Sequence, residues 1–198
     1  MCSSDLYFGL KEGKKTILVI GGSFGAKTIN ESLELSINNL LEKNIQIIWQ
    51  TGKAYFEKAK LCLGNKEHSE IKVFDFISKM DYAYAVADLV ISRAGAISIS
   101  ELCCVAKPCI LIPSPHVAED HQTKNALALK STNSAIIIKD ADSKTILGSV
   151  ILDTLENEKK LKELSENIGK LAVKDSAMII AKEVLDRKST RLNSSHIT

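Results

Sequence analysis

The stretch ILVIGGSFGAKTIN, Ile17 to Asn30, decides how this chain reads. Four large apolar residues run without alternation into Gly21-Gly22-Ser23-Phe24-Gly25-Ala26, and a helical pattern follows. An unalternating apolar run marks a strand buried on both faces, the kind found inside parallel sheets. Glycine at the turn permits positive φ and lets another group come close to the backbone. The helix behind the turn begins with unpaired N–H groups and the positive end of its dipole, which together favour an anion. Ser23 adds a hydroxyl donor. The spacing is not G-x-G-x-x-G, because the first Gly-x-Gly is absent, and no Gly-Lys-Ser/Thr follows as a Walker A loop requires. Two readings stand at this point: an anion-binding turn, or a tight turn that serves the fold alone.

Outward from this stretch, short apolar runs keep alternating with amphipathic ones. Strands are predicted at 16–21, 45–50, 71–76, 88–93, 109–113 and 134–140. Helices are predicted at 31–43, 53–63, 78–87, 96–106 and 118–131, and the rest of the chain reads as helical, with caps expected at Asp142 or Ser143 and at Asp175. In the first helix Leu33, Ile37, Leu40 and Leu41 fall on one side. The segment NKEHSE, 65–70, reads as a polar loop. Strand-helix alternation implies right-handed crossovers and a parallel sheet covered on both faces. The expected fold class is α/β, a Rossmann-like doubly wound parallel sheet of about six strands.

Composition narrows the functional classes. The chain has 198 residues, 45% hydrophobic and 25% charged, with a net charge of +2. Those values suit a globular domain, and the charge gives no electrostatic argument for nucleic acid. No apolar run approaches the roughly 20 residues that span a bilayer, and the start of the chain, MCSSDLYFGLKEGKK, has no apolar signal-peptide core. The five cysteines, Cys2, Cys62, Cys103, Cys104 and Cys109, include no C-x-x-C pair, so neither a metal site nor a disulfide framework is expected. Cys103, Cys104 and Cys109 sit among apolar residues and read as small core side chains, which suits a reducing cytoplasm.

In a sheet of this kind ligands bind beyond the carboxyl ends of the strands. The segment SRAGAISISE, 92–101, repeats the logic of the first turn: a strand ends at Arg93, Gly95 allows close approach, and a helix opens over Ala96, Ile97 and Ser98. Arg93 can neutralise phosphate charge and Ser98 can donate from the helix start. Glu101 lies three residues after Ser98, on the same helix face. Its carboxylate suits either a ribose diol or a favourable place near the helix dipole. In a third segment, IPSPHVAEDHQTKNA, the residues His121, Gln122 and Asn125 carry donors and acceptors fit for sugar hydroxyls, and His116 reads as a loop residue. No Ser/His/Asp set, carboxylate pair or metal cluster is legible, so no catalytic residue is assigned.

Taken together, GGSFGAKTIN, TGK, FDFISKMDYAYAVADLVISRAGAISISEL and IPSPHVAEDHQTKNA resemble the C-terminal half of the MurG family of glycosyltransferases. The resemblance covers roughly Lys14 to Arg187. It implies the C-terminal domain of a two-domain GT-B enzyme that moves N-acetylglucosamine from UDP onto lipid I, giving lipid II of peptidoglycan synthesis. Carried over by position, Gly22, Ser23 and Gly25 would meet the diphosphate. Ile77 would lie against uracil, with backbone groups reading the base. Arg93, Gly95, Ala96, Ile97 and Ser98 would flank uracil and phosphates. Glu101 would hold the ribose hydroxyls, and His121 and Gln122 would face the sugar. Relatives often carry Gln where this chain has Phe24, and some carry it at His121. The resemblance also implies inversion by direct displacement, with the leaving UDP stabilised by helix dipoles and without cofactor or metal.

The resemblance further implies a missing N-terminal domain that supplies the general base, the lipid I contacts and a peripheral contact with the cytoplasmic face of the inner membrane; the isolated domain would be soluble. The expected organisation is a non-native leader over 1–6, a UDP-sugar-binding domain over 7–187 and a non-native tail over 188–198, with the natural protein continuing upstream of about residue 7. The alternatives are a stand-alone donor subunit of a two-subunit GlcNAc transferase, a nucleotide-binding module without transfer activity, and a UDP-sugar epimerase of similar fold.

Overall fold

The computed structural model describes residues 3–64 and 69–194. Residues 65–68 of the expected polar loop, and the outermost residues of the expected leader and tail, lie outside that description. A short helix, α1 (Ser3–Phe8), precedes β1 (Thr16–Ile20), and the chain then alternates: α2 (Lys27–Glu42), β2 (Gln46–Gln50), α3 (Lys53–Leu63), β3 (Ile71–Phe74), α4 (Met80–Val86), β4 (Leu89–Ser92), α5 (Ala96–Val105), β5 (Cys109–Leu111), α6 (His121–Ser131) and β6 (Ile136–Ile137). Three helices close the chain: α7 (Ser143–Leu155), α8 (Glu158–Gly169) and α9 (Ser176–Ser194). Single 3-10 turns stand at Ala118–Asp120 and Asp140–Asp142.

All five strand pairings are parallel, and the six-stranded order is β3-β2-β1-β4-β5-β6. The expected doubly wound sheet is therefore present. Its strands explain the unalternating apolar runs: successive side chains point to opposite faces, and both faces are covered. Ile17, Val19, Ile47, Trp49, Leu89 and Ile91 pack into one core with Leu33 and Leu40 of α2 and Leu147 and Ile151 of α7. Leu18, Ile20, Ile48 and Val90 face the other way, into a core with Tyr84 of α4, Leu102 of α5 and Leu129 of α6. On the first face α2 and α7 approach closely. A Cβ on Gly148 would meet Ser36 Oγ at 2.8 Å, and Ser32 Oγ donates to Ser143 Oγ at 3.0 Å.

Several local expectations shift. The expected sixth strand shrinks from 134–140 to two residues, because β6 is an edge that pairs only with β5. Helix α2 starts at Lys27, directly behind the glycine turn, four residues before the amphipathic stretch 31–43. The helix expected over 118–131 breaks at Glu119, whose φ is +54°, and α6 proper begins at His121. Asp142 precedes α7 without a side-chain cap bond, and Ser143 instead donates to the Asp140 carbonyl at 2.7 Å. A side-chain cap forms at Asn157, which accepts from Lys160 N at 3.0 Å at the start of α8. Cys103 and Cys109 are buried as expected, but Cys104 is exposed: it lies one residue, about 100° of helix, round from Cys103. Helix α1 begins inside the segment read as a leader, with Ser4 buried, and α9 runs on through the boundary expected at 187.

The start of the domain is tied to the sheet by charge. Glu70 accepts from Lys11 Nζ at 2.8 Å, from Ser69 Oγ at 2.8 Å and from Lys14 Nζ at 3.4 Å. The Lys11 bond first, and the Ser69 bond next, hold its carboxyl down to about 2 from the ordinary 4.5. A depressed carboxyl stabilises the fold fully above its unfolded value and loses that contribution as pH falls through the folded one. Glu70→Gln is therefore expected to lower the melting temperature most above pH 4.5, the gap closing toward pH 2. A gap that stays constant across that range in thermal melts would refute the assignment.

Candidate functional site

Because every strand runs the same way, the turns after β1, β2, β3, β4 and β5 all open at the carboxyl edge of the sheet. The strand order reverses between β1 and β4, and crevices for ligands form at such a switch point. The two glycine turns singled out from sequence follow those two strands. Gly22, Ser23 and Gly25 are thereby set beside Arg93, Gly95 and the start of α5, on one edge.

The glycines divide by role. A Cβ on Gly25 would lie 2.0 Å from the Thr51 carbonyl oxygen, and one on Gly52 would lie 2.4 Å from the Phe24 carbonyl oxygen. Both residues have positive φ, +78° and +76°. The glycine at position 25 is thus required by the close approach of the β2-α3 turn, a reason the sequence reading did not include. Gly22, with φ +79°, would meet nothing within 4 Å. Gly95 has φ −71° and only Ser98 Oγ near its Cβ position, at 3.9 Å, so the chain's own packing does not require a glycine there.

Both helix starts at the switch point lack side-chain caps. Neither Ala26 before α2 nor Gly95 before α5 supplies a side-chain cap bond, and the first intrahelical bonds are Asn30 N to Ala26 O and Ile99 N to Gly95 O, each 3.0 Å. Two sets of N–H groups and two positive dipole ends therefore point toward the same crevice. Ser23, Phe24, Ala96 and Ile97 are exposed along its rim, Phe24 at 92% and Ile97 at 78%. Ser98 is half-buried at the third position of α5.

Arg93 is less available to a phosphate than its sequence position suggested. Its Nη1 donates to the Ile112 carbonyl at 3.0 Å and to the Asp140 carboxylate, which also accepts from Thr28 Oγ1 at 3.1 Å. The guanidinium thus ties the ends of β4, β5 and β6 to the first turn of α2, and its charge is already matched.

At Ile77 only the backbone is open to a base. Its side chain is buried in the core under α4, and its N–H donates to Gln50 Oε1 at 2.8 Å. A base there would meet its carbonyl rather than its N–H. The same Gln50 amide donates from Nε2 to the Gly22 carbonyl at 3.1 Å. One buried side chain thereby fixes the distance between the first glycine turn and the β3-α4 loop. Sequence analysis missed it. The signal was present, since Gln50 is the polar residue that follows Ile47, Ile48 and Trp49 at the edge where ligands bind.

Glu101 stands at the sixth position of α5, beyond the first turn, which weakens the helix-dipole reading. Its carboxylate is exposed, and Oε2 accepts from the Tyr84 hydroxyl at 2.9 Å. In the third segment, Gln122 Oε1 accepts from Ser114 N at 2.9 Å and Asn125 Nδ2 donates to the Ala94 carbonyl at 3.2 Å. These two side chains clasp the β5-α6 loop and join α6 to the second glycine turn. His121 is exposed at the first position of α6. The residues just before it, Glu119 and Asp120, both have φ above +50°, an arrangement that costs non-glycine residues about 1–3 kcal/mol each. Among the described residues no group of three or more His, Cys, Asp or Glu could hold a metal ion.

Known proteins resemble the chain over most of its length. A transferase of Bacteroides thetaiotaomicron, named UDP-N-acetylglucosamine–N-acetylmuramyl-(pentapeptide) pyrophosphoryl-undecaprenol N-acetylglucosamine transferase, is 54% identical over 180 residues, 90% of this chain and 48% of that protein. The protein of the same name from Cytophaga hutchinsonii is 49% identical over 181 residues, 91% of this chain and 48% of that one. The chain spans about half the length of the curated relatives it matches. Among solved structures, Acinetobacter baumannii MurG superposes with a TM-score of 0.79 at 28% identity, covering 92% of this chain and 53% of that one. The S. aureus MnaA-UDP co-structure superposes at 0.70 with 13% identity, covering 93% and 48%, a likeness of fold alone. Residues 16–180 match the glycosyltransferase family 28 C-terminal domain, and the chain belongs to that family.

Proposed function

We propose that this chain is the donor-binding half of an inverting N-acetylglucosaminyltransferase that uses UDP-GlcNAc and adds the sugar to lipid I. The observation that carries the reading is the pairing of β1 with β4, which sets two glycine turns and two uncapped helix starts at one switch point. A diphosphate is the ligand such a site suits, since it brings two negative groups to two positive dipole ends. The names of the relatives supply the sugar and the undecaprenyl acceptor.

In this reading Ser23 and the N–H groups at the starts of α2 and α5 hold the diphosphate. As the glycosidic bond to UDP breaks, negative charge grows on the leaving phosphate, and fixed dipoles stabilise it without rearrangement. Glu101 accepts from the ribose hydroxyls, and His121 and Gln122 border the sugar. The general base, the lipid I contacts and a peripheral contact with the inner membrane belong to the rest of the enzyme. No helix among the described residues is long and apolar enough to cross a membrane.

Titration calorimetry with UDP in the presence of EDTA tests this. The chain is expected to bind without metal. Glu101→Ala is expected to weaken UDP about ten- to hundredfold, since charged hydrogen bonds contribute about 1.5–3 kcal/mol each, and to leave 2′,3′-dideoxy-UDP almost unaffected. Binding that appears only with added divalent metal would overturn the dipole reading. Equal losses for both ligands would overturn the ribose assignment.

A further inference from the structure

We infer that Tyr84 is a positioning residue for nucleotide recognition: its hydroxyl, 2.9 Å from Glu101 Oε2, presets the Glu101 carboxylate to receive the ribose diol. The inference rests on the proposed role of Glu101 as the ribose acceptor. It adds a residue on a different element, α4, which does not itself touch the ligand.

The two side chains differ in mobility. Glu101 is exposed on α5, where an unanchored Glu samples many rotamers, and ordering them on binding weakens affinity. Tyr84 is only 4% exposed, and its ring is set in the second core together with Leu102 and Cys103 of the helix that carries Glu101. A fixed phenol thus holds one oxygen of a mobile carboxylate. The donor direction is set by chemistry: burial first, and the nearby Glu101 charge next, raise the Tyr84 hydroxyl well above its ordinary value, so it stays protonated. One bond to Oε2 leaves Oε1 and the second lone pair of Oε2 for two ribose hydroxyls. The pair opens into a cleft of about 770 Å³ whose wall includes Met80, Asp81, Ile97 and Ser100. The carboxylate is therefore anchored from the protein side while its other side faces open space.

Tyr84→Phe keeps the ring and removes only the hydroxyl. Dissociation constants for UDP and for 2′,3′-dideoxy-UDP would be measured on this chain, on Tyr84→Phe, on Glu101→Ala and on the double variant, with thermal melts of each. Tyr84→Phe is expected to weaken UDP by about two- to tenfold, the range of one hydrogen bond. It should leave dideoxy-UDP unchanged and cause no further loss once Glu101 is Ala. Glu101→Asp keeps the charge but draws the carboxylate back from the phenol without disturbing the core, and it should lose the preference for UDP over dideoxy-UDP. If Tyr84→Phe weakens both nucleotides alike, or neither, while Glu101→Ala stays selective for the ribose, the positioning role is wrong and the Glu101 assignment survives. An unchanged preference in Glu101→Asp also rejects the positioning role. If Glu101→Ala itself shows no ribose selectivity, the Glu101 assignment falls, and this inference with it.

Discussion

Gly25→Ala is expected to cost the domain about 2–5 kcal/mol, a large part of the 5–15 kcal/mol that holds a typical domain folded. Two terms add. A left-handed backbone costs a residue with a Cβ about 1–2 kcal/mol, and forcing an atom into a filled space costs about 1–3 kcal/mol. The space is filled by backbone, the Thr51 carbonyl 2.0 Å from the new methyl, so no side-chain rotation relieves it. Gly52→Ala meets the Phe24 carbonyl from the other side of the same contact and should behave alike. Gly22→Ala shares the positive φ but meets nothing within 4 Å, so it should lose only the backbone cost, about 1–2 kcal/mol. Thermal melts of the three variants read this directly. With about 2–4 °C per kcal/mol at this chain length, Gly25→Ala and Gly52→Ala should drop by about 4–20 °C and Gly22→Ala by less, about 2–8 °C. Equal drops for all three would mean that the two turns do not touch as described.

Gln50→Leu should act on stability and on binding together. The substitution keeps bulk but leaves the Ile77 N–H and the Gly22 carbonyl without the partner they have at 2.8 and 3.1 Å. A buried donor left unpaired costs about 1–3 kcal/mol, about 3–10 °C in melting temperature. The functional loss is separate, because Gln50 fixes the spacing between the turn that would hold the diphosphate and the loop that would read the base. UDP affinity is expected to fall about tenfold or more even at temperatures where the variant is fully folded, and pyrophosphate affinity much less, since it has no base for the β3-α4 loop to read. Retained UDP affinity in calorimetry would reduce Gln50 to a purely structural role.

The sheet was legible in the sequence because a strand covered on both faces cannot hide its apolar run: Ile17 to Ile20, Ile47 to Trp49 and Leu89 to Ile91 all announce themselves. The extent of edge strand β6 was not, since Ile136 and Ile137 have a ladder on one side only, and the apolar run around them is longer than the part that pairs as strand. Glycine turns could be placed but not apportioned. Whether a missing Cβ makes room for a ligand or for Thr51 depends on where a second turn lies, which no local pattern records. The ion pair of Arg93 could not be foreseen for a related reason: its counter-charge, Asp140, is 47 residues away. Gln50 and Tyr84 escaped notice because each acts through another residue. Their types are ordinary at those positions, and only the distances to Gly22, Ile77 and Glu101 disclose the work they do.

The register that places β4 beside β1 joins segments far apart in the chain: Thr16 N donates to Asp88 Oδ2 across 72 residues. Neither half of the crevice exists before that seam is closed. A nucleotide touching both glycine turns would grip the molecule across its least local junction, and by mass action its presence would resist separation of the two halves. Cellular supply of the sugar donor would then set how long the domain survives heat and proteases, and depletion would shorten the life of the fold as well as halt its turnover.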